Sequence, residues 1–352
     1  TIDPEQGEGQ AWGAKLKVAG VPVFYLPWVQ FPIDSRRKTG LLFPDIGSDS
    51  RGGVDITQPI YFNLAPNYDA LYRPRYIQER GLLHQGQGRW LSDTVGYWEM
   101  NGSWIGDDER YQNANPTIDA DRWLFNTQHN GEFGSGWRTK IAYTRVSDPE
   151  YIRDIENNRL SAQRQTALQQ LGRVDWLGED WQVRVDVEKF QSLADDIRND
   201  YQKLPQITAR WRGTQNWMGV EPILLTQLSH FESDSVRVTG ERLYMEAGLT
   251  MPNRWAYGFL TPTVKYRSVS YELDDFPLIE DDSPDAGSLM ASLDGGFIFE
   301  RQTTLGGSKV TQPLEPRAYY LHSEYEEQFG QPDFDSAELT FSYDQLYRDT
   351  RF

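Results

Sequence analysis

Two prolines constrain this chain more than any other feature. Between Gly53 and Gln78 the sequence reads GVDITQPIYFNLAPNYDALYRPRYIQ. These are two alternating segments joined at Ala65-Pro66-Asn67, with Pro59 inside the first and Pro74 inside the second. Proline has no N–H to give to a β-ladder, so it is normally confined to edges and bulges. Two neighbouring strands that each carry such a defect predict a sheet edge built to be weak. In a closed barrel that edge is a seam able to open. The bland reading of the same residues is a pair of ordinary edge or bulge prolines.

Alternation elsewhere makes the strand reading general. In Trp181–Val187 the apolar residues Trp181, Val183, Val185 and Val187 alternate with Gln182, Arg184 and Asp186. In 242–251 the apolar set is Leu243, Met245, Ala247, Leu249 and Met251. The first proline-bearing segment carries Val54, Ile56, Ile60, Phe62 and Leu64 on one face, interrupted by Gln58. Period two sustained in this way is a strand signature. Further strands are predicted near 69–79, 82–92, 95–106, 121–130, 136–146, 165–177, 204–213, 221–233, 256–271, 290–302 and 311–323. The connections are of two kinds, short (131–136, 177–180) and long and polar (107–120, 147–163, 191–203, 272–289, 324–336). Short turns at one rim and long loops at the other characterise outer-membrane barrels; a β-sandwich gives less reason for that asymmetry.

Composition supports the choice. Only 38% of the 352 residues are hydrophobic and the mean hydropathy is −0.67. Yet aromatics reach 13%, with 12 Trp and 19 Tyr, which argues against disorder. No run approaches the roughly 20 apolar residues of a membrane-spanning helix. Low hydropathy with abundant Trp and Tyr fits strands that are polar inside and apolar outside, with aromatic girdles. A net charge of −17 argues against a nucleic-acid partner, because phosphate backbones are bound by a surplus of Lys and Arg. The chain opens without Met or a signal peptide and is expected to be a processed or truncated piece.

Residues 1–33 differ from the rest. Pro22, Pro27 and Pro32 recur at five-residue intervals and are expected to break any long ladder there, leaving short strands or a connector. Its apolar residues, Phe24, Leu26, Trp28 and Phe31, form either a packed linker or an apolar track for lipid leading to the barrel. Arg36-Arg37-Lys38 is the densest basic cluster, and Arg73 and Arg75 flank Pro74. These five are candidate phosphate contacts, since Arg binds phosphate through two donors at once; for the cluster at 36–38 the alternative is a solvated rim turn. The six carboxylates of 274–285 lack the spacing of an EF-hand and read as a surface loop. The histidines, His84, His129, His230 and His322, are scattered, there is no Cys, and no GxSxG, HExxH or P-loop pattern occurs. No enzyme, cofactor or metal site is therefore expected.

Four long segments carry a family resemblance: VPVFYLPWVQFPIDSRRKTGLLFPDIG (21–47), QPIYFNLAPNYDALYRPRYIQERG (58–81), RWLF to YTRVSDPEYIRD (122–154) and LEPRAYYLH (314–322). They resemble the LptD (OstA/Imp) family of lipopolysaccharide-assembly outer-membrane proteins. The resemblance implies an all-β protein: an antiparallel transmembrane outer-membrane β-barrel of roughly 26 strands, preceded by a periplasmic β-jellyroll. On that mapping 1–33 is the end of the jellyroll and the junction, and 34–352 is the N-terminal portion of the barrel. It implies lipopolysaccharide as cargo, the plug lipoprotein LptE inside the barrel, the periplasmic bridge protein LptA joining through the jellyroll, and the barrel-assembly machinery. Location in a Gram-negative outer membrane, with a periplasmic N-terminal part, follows. Val54–Leu64 and Asp69–Gln78 resemble the first two barrel strands, so the lateral gate falls on Pro59 and Pro74, with Ile56, Ile60 and Tyr76 beside them. Two departures matter. The family's cysteines are absent, and about 14 strands are countable, too few for so large a wall, so a fragment is expected. The expected function is a translocon component that inserts lipopolysaccharide through this gate; the alternative is a diffusive porin or substrate channel.

Overall fold

Alternating side chains build antiparallel strands here, and the two faces of each strand differ in chemistry. The computed structural model describes residues 2–3, 8–18, 21–32, 37–49, 52–155, 166–194, 201–214, 218–235, 237–274, 281–328, 330–336 and 342–349. The chain divides into two compact units, one of residues 1–133, 139–170 and 191–196, the other of 134–138, 171–190 and 197–352.

The first unit opens with a three-stranded sheet in the order β1 (Ile2–Asp3), β2 (Glu8–Val18), β3 (Val21–Pro32). Here the expectation that prolines forbid a long ladder is corrected. β3 runs the whole length of Val21–Pro32 with Pro22, Pro27 and Pro32 inside it, paired from Val18↔Val21 to Glu8↔Pro32. The reason is its place: β3 is an edge strand, and an edge strand needs donors on one side only. The backbones of Phe24, Leu26, Trp28 and Phe31 lie in β3, while their side chains fall outside the described residues.

A second sheet follows, made of β4 (Gly40–Leu41), β5 (Asp45–Asp49), β6 (Gly53–Thr57), β7 (Ile60–Ala65), β8 (Tyr68–Ile77), β9 (Gly81–Ser92), β10 (Gly96–Ile105) and β11 (Arg122–Phe133). Residues 54–64, expected as one strand, are two, because Gln58-Pro59 interrupts them. Nor are they first in the sheet: β4 pairs with β7 and β5 with β6. Those upstream strands were missed because both are very short and separated by Leu42-Phe43-Pro44. Two short helices occupy connections expected to be plain loops. One is α1 (Glu109–Ala114), whose N-cap Asp108 accepts from the Tyr111 N–H; the other is α2 (Tyr151–Ile155), after β12 (Trp137–Val146). Tyr151, Ile152 and Ile155 of α2 bury against Ile77, Leu83 and Ile105, so the loop folds back onto the strand ends.

After β13 (Ala167–Leu177), the second unit carries β14 (Trp181–Ser192), β15 (Gln202–Arg212), β16 (Glu221–Glu232), β17 (Gly240–Thr250), β18 (Asn253–Trp255), β19 (Gly258–Leu273) and β20 (Asp285–Phe297). Then come β21 (Phe299–Leu305), β22 (Ser308–Leu314) and β23 (Arg317–Ser323). The strands predicted at 290–302 and 311–323 need correction. Gly306 and Gly307 both take positive φ, as a two-residue hairpin turn requires, and β21 and β22 form a separate two-stranded sheet. β20 pairs instead with β23. Behind β15 to β19, Phe334 stacks on Phe231 with ring centroids 4.3 Å apart. Asp335 beside it binds Arg242 at 2.6 Å and Lys203 at 2.9 Å, so this loop is tied down at two adjacent residues.

The long antiparallel strands of each unit are inverted relative to those of a soluble protein. On β17, Leu243, Met245, Ala247 and Leu249 are exposed, whereas Glu246 and Thr250 are buried. In the first unit Leu64, Tyr68, Tyr76, Leu82 and Trp90 are exposed, while Asp69 is 5% exposed. The shielded polar groups are paired: Glu246 binds Lys265 and Arg267, each at 2.7 Å. A charge withdrawn from water requires such partners, and an exposed apolar face requires a solvent other than water.

Candidate functional site: a proline-broken strand

The site is where β6 gives way to β7. Both pair with β8, Thr57 opposite Arg75 and Ile60 opposite Tyr72. The register is the same on both sides of the gap, which sets Gln58 opposite Pro74 and Pro59 opposite Arg73. At this rung the Gln58 N–H donates to the Pro74 carbonyl at 3.1 Å. The reciprocal bond cannot exist, because Pro74 has no N–H. One strand over, the Leu42 N–H donates to the Pro59 carbonyl at 2.9 Å, and again proline cannot reply. Gln58 supplies a substitute: its side-chain amide donates to the Leu42 carbonyl at 2.9 Å. Pro44 follows Leu42 by two residues, in the gap between β4 and β5. The interruption thus crosses three adjacent strands. By contrast, β8–β9 pairs continuously from Tyr68↔Trp90 to Ile77↔Gly81, and β9–β10 from Leu83↔Ile105 to Ser92↔Gly96.

The stand-in can be tested. Gln58→Leu leaves the Leu42 carbonyl without its side-chain donor, at a net cost of about 0.5–1.5 kcal/mol. Amide exchange at Leu42 and at position 58 is expected to accelerate by up to about tenfold, read by mass spectrometry on the full-length protein in detergent. Unchanged exchange across 40–64 refutes this role for Gln58.

On the apolar face Ile56 pairs with Tyr76, and both are exposed; Ile60, opposite Tyr72, is half-buried on the same face. Further along the same strands lies a groove of about 570 Å³ lined by Leu64, Tyr68, Ala70, Gly88, Trp90 and Met100. A Cβ added at Gly88 meets nothing within 4 Å, so the backbone there does not require glycine and the space stays open. His84, across from Pro74, bonds the Tyr72 hydroxyl through Nδ1 at 2.6 Å and stacks on Trp104.

On the polar face the candidate cations separate. Arg75 is saturated: it grips Asp55 through Nε at 2.9 and 3.0 Å and through Nη2 at 2.5 Å, and donates through Nη1 to the Ile155 carbonyl at 3.1 Å. It therefore stitches β6 to β8 just beside the break and ties α2 to both. Arg37 binds Asp69 at 3.1 Å and the Pro66 carbonyl at 2.7 Å. Asp69 also receives Arg89 and the Tyr61 hydroxyl. Lys38 is engaged as well, and Arg36 lies outside the described residues. Arg73 is the exception: its Nε is buried without a hydrogen-bond partner, and no ion pair joins it to a described residue.

Sequence reasoning missed a second assembly beside the site. Arg122, fully buried, binds Asp108 at 2.9 Å, Asp148 at 2.8 Å and Asp154 at 3.1 Å. Arg80 reinforces Asp108 at 2.8 Å and Asp154 at 3.6 Å. Burial alone raises the Asp148 carboxyl, but bonds from Arg122 and Ser147 outweigh it and hold its pKa below the usual carboxylate range. No sequence signal marks this cluster, since its members are scattered from 80 to 154. Among the described residues no group of acids and histidines is placed to hold a metal ion.

A sheet with an apolar exposed face and a shielded face of paired charges is the wall of an outer-membrane β-barrel. The family follows from comparison: the model described as "LPS transport system D" matches residues 120–352, and the chain belongs to the LptD family. It is 36% identical over 363 residues to the LPS-assembly protein LptD of Hahella chejuensis, an alignment covering all of this chain and 45% of that protein. For the LptD of Alcanivorax borkumensis the identity is 38%, covering all of this chain and 46% of that protein. For the LptD of Pseudomonas aeruginosa strain LESB58 it is 33%, covering all of this chain and 41% of that protein. The chain thus spans less than half the length of the curated relatives it matches.

Proposed function

We propose that this chain forms the gate-bearing part of a lipopolysaccharide translocon in the outer membrane of a Gram-negative bacterium. Lipid passes sideways into the outer leaflet between strands that separate at Pro59 and Pro74. One observation carries the reading: two adjacent rungs each lack a proline N–H, while the neighbouring β8–β9 and β9–β10 ladders are unbroken. A rung that has lost a donor forfeits about 0.5–1.5 kcal/mol net in water, and more where water is excluded. Ile56, Ile60 and Tyr76 then form the apolar lip of the opening. Residues 1–33 belong to a periplasmic jellyroll that receives lipid from LptA, with Phe24, Leu26, Trp28 and Phe31 along its path. LptE plugs the barrel, and the barrel-assembly machinery inserts it. No chemistry is performed on the cargo.

A photo-reactive residue at Ile60 or Tyr76 of the full-length protein is expected to yield a lipopolysaccharide adduct during export. A porin gives a different result: small-solute conductance through an unplugged lumen, and no adduct at either position. That outcome overturns the proposal.

A further inference from the structure

Among the described residues, the one cation beside the break without a partner points to the chemistry of what passes it. We infer that Arg73 binds a phosphate of the anionic glycolipid in transit, a deepening that rests on the translocation reading above. Arg73 stands across from Pro59 and one residue before Pro74, on the same face as Arg75 and Asp69. It is half-buried, and its Nε is shielded from water with no partner. A buried donor without a partner carries a cost that an acceptor completing it removes.

The nearby acids are already committed. Asp55 is held by Arg75, and Asp69 by Arg37, Arg89 and Tyr61. Glu99 accepts from Gln87, Tyr97 and Asn101. Arg75, the other candidate beside Pro74, has its donors spent on Asp55 and the Ile155 carbonyl. Arg73 alone of the pair keeps its fork free, and that fork matches phosphate oxygens. Ile56, Ile60 and Tyr76 lie on the opposite, apolar face at the same level. An amphiphile lodged in the break therefore meets the apolar lip with its chains and Arg73 with its phosphate.

The test uses the full-length protein with its plug in detergent, a photo-reactive residue at Tyr76, and lipid A as probe, with its phosphates and after their removal. Arg73→Gln is expected to cut the adduct with phosphorylated lipid A about tenfold. The phosphate-free form is expected to react equally with both proteins. Arg73→Lys, which keeps the charge but loses the fork, is expected to fall several-fold, and it carries the comparison if Arg73→Gln does not assemble. Adducts that stay at the parent level overturn the assignment and leave the seam standing. Equal loss for both lipids also overturns it, as a structural role. Failure of the parent to react with either lipid sinks the seam reading, and this inference with it.

Discussion

Arg122→Ala is expected to free two loop helices at once and to lower the stability of the folded protein by about 3–5 kcal/mol. The guanidinium is the hub of the loop end of the first unit. Its Nε and Nη2 hold Asp148 at 2.9 and 2.8 Å, and its Nη1 reaches Asp108 at 2.9 Å and Asp154 at 3.1 Å. It also lies 4.1 Å from the Tyr111 ring of α1. Removing it leaves three carboxylates facing each other, of which Asp108 is fully buried. Arg80 still reaches Asp108 and Asp154, but it does not contact Asp148. The acid that caps α1 and the acid just ahead of α2 thus lose their common partner. Thermal unfolding and limited proteolysis within 106–121 and 147–155 are the measurements. An unchanged midpoint with unchanged cleavage rejects the hub. The pH dependence carries a definite sign. Because the Asp148 carboxyl is lowered in the folded protein, its contribution is complete above the ordinary aspartate range. It is lost as pH falls through the lowered value.

The wall was legible in the sequence because alternation is a local signal. Leu243, Met245, Ala247 and Leu249 are on the exposed face, as their spacing predicts. The proline break was legible for the same reason, since an N–H is either present or absent at a given residue. Three features were not. The segment 40–49 makes strands too short for a period to be counted. β3 survives its three prolines because of which strands border it, which is a property of the sheet. The Arg122 cluster joins residues 80, 108, 122, 148 and 154 only after α1 and α2 have folded back. Of the five cations flagged for phosphate, the 36–38 cluster is the densest and reads equally as a solvated rim turn. Pairing reorders them, because Arg37 and Arg75 are neutralised internally while Arg73 is not.

Restoring both missing donors, Pro59→Ala with Pro74→Ala, is expected to close the seam and halt lipid export while the barrel still folds. Two rungs regain bonds worth about 0.5–1.5 kcal/mol each in water. Opening that depends on separating these strands is then expected to slow by about one to two orders of magnitude, with a larger factor inside the membrane. The two sites are unequal. At Pro59 the Gln58 side chain already serves the Leu42 carbonyl, so a new N–H there displaces an existing bond. At Pro74 the new N–H faces the carbonyl of Gln58, the residue whose own N–H already bonds Pro74. Pro74→Ala alone is therefore expected to carry the larger share of the loss. Surface labelling of newly exported lipopolysaccharide measures the effect, and heat-modifiable gel migration checks that the barrel has formed. A stably folded double variant that exports at the parental rate is incompatible with a seam weakened by proline. It leaves Pro59 and Pro74 as ordinary strand irregularities in a wall that lipid crosses elsewhere.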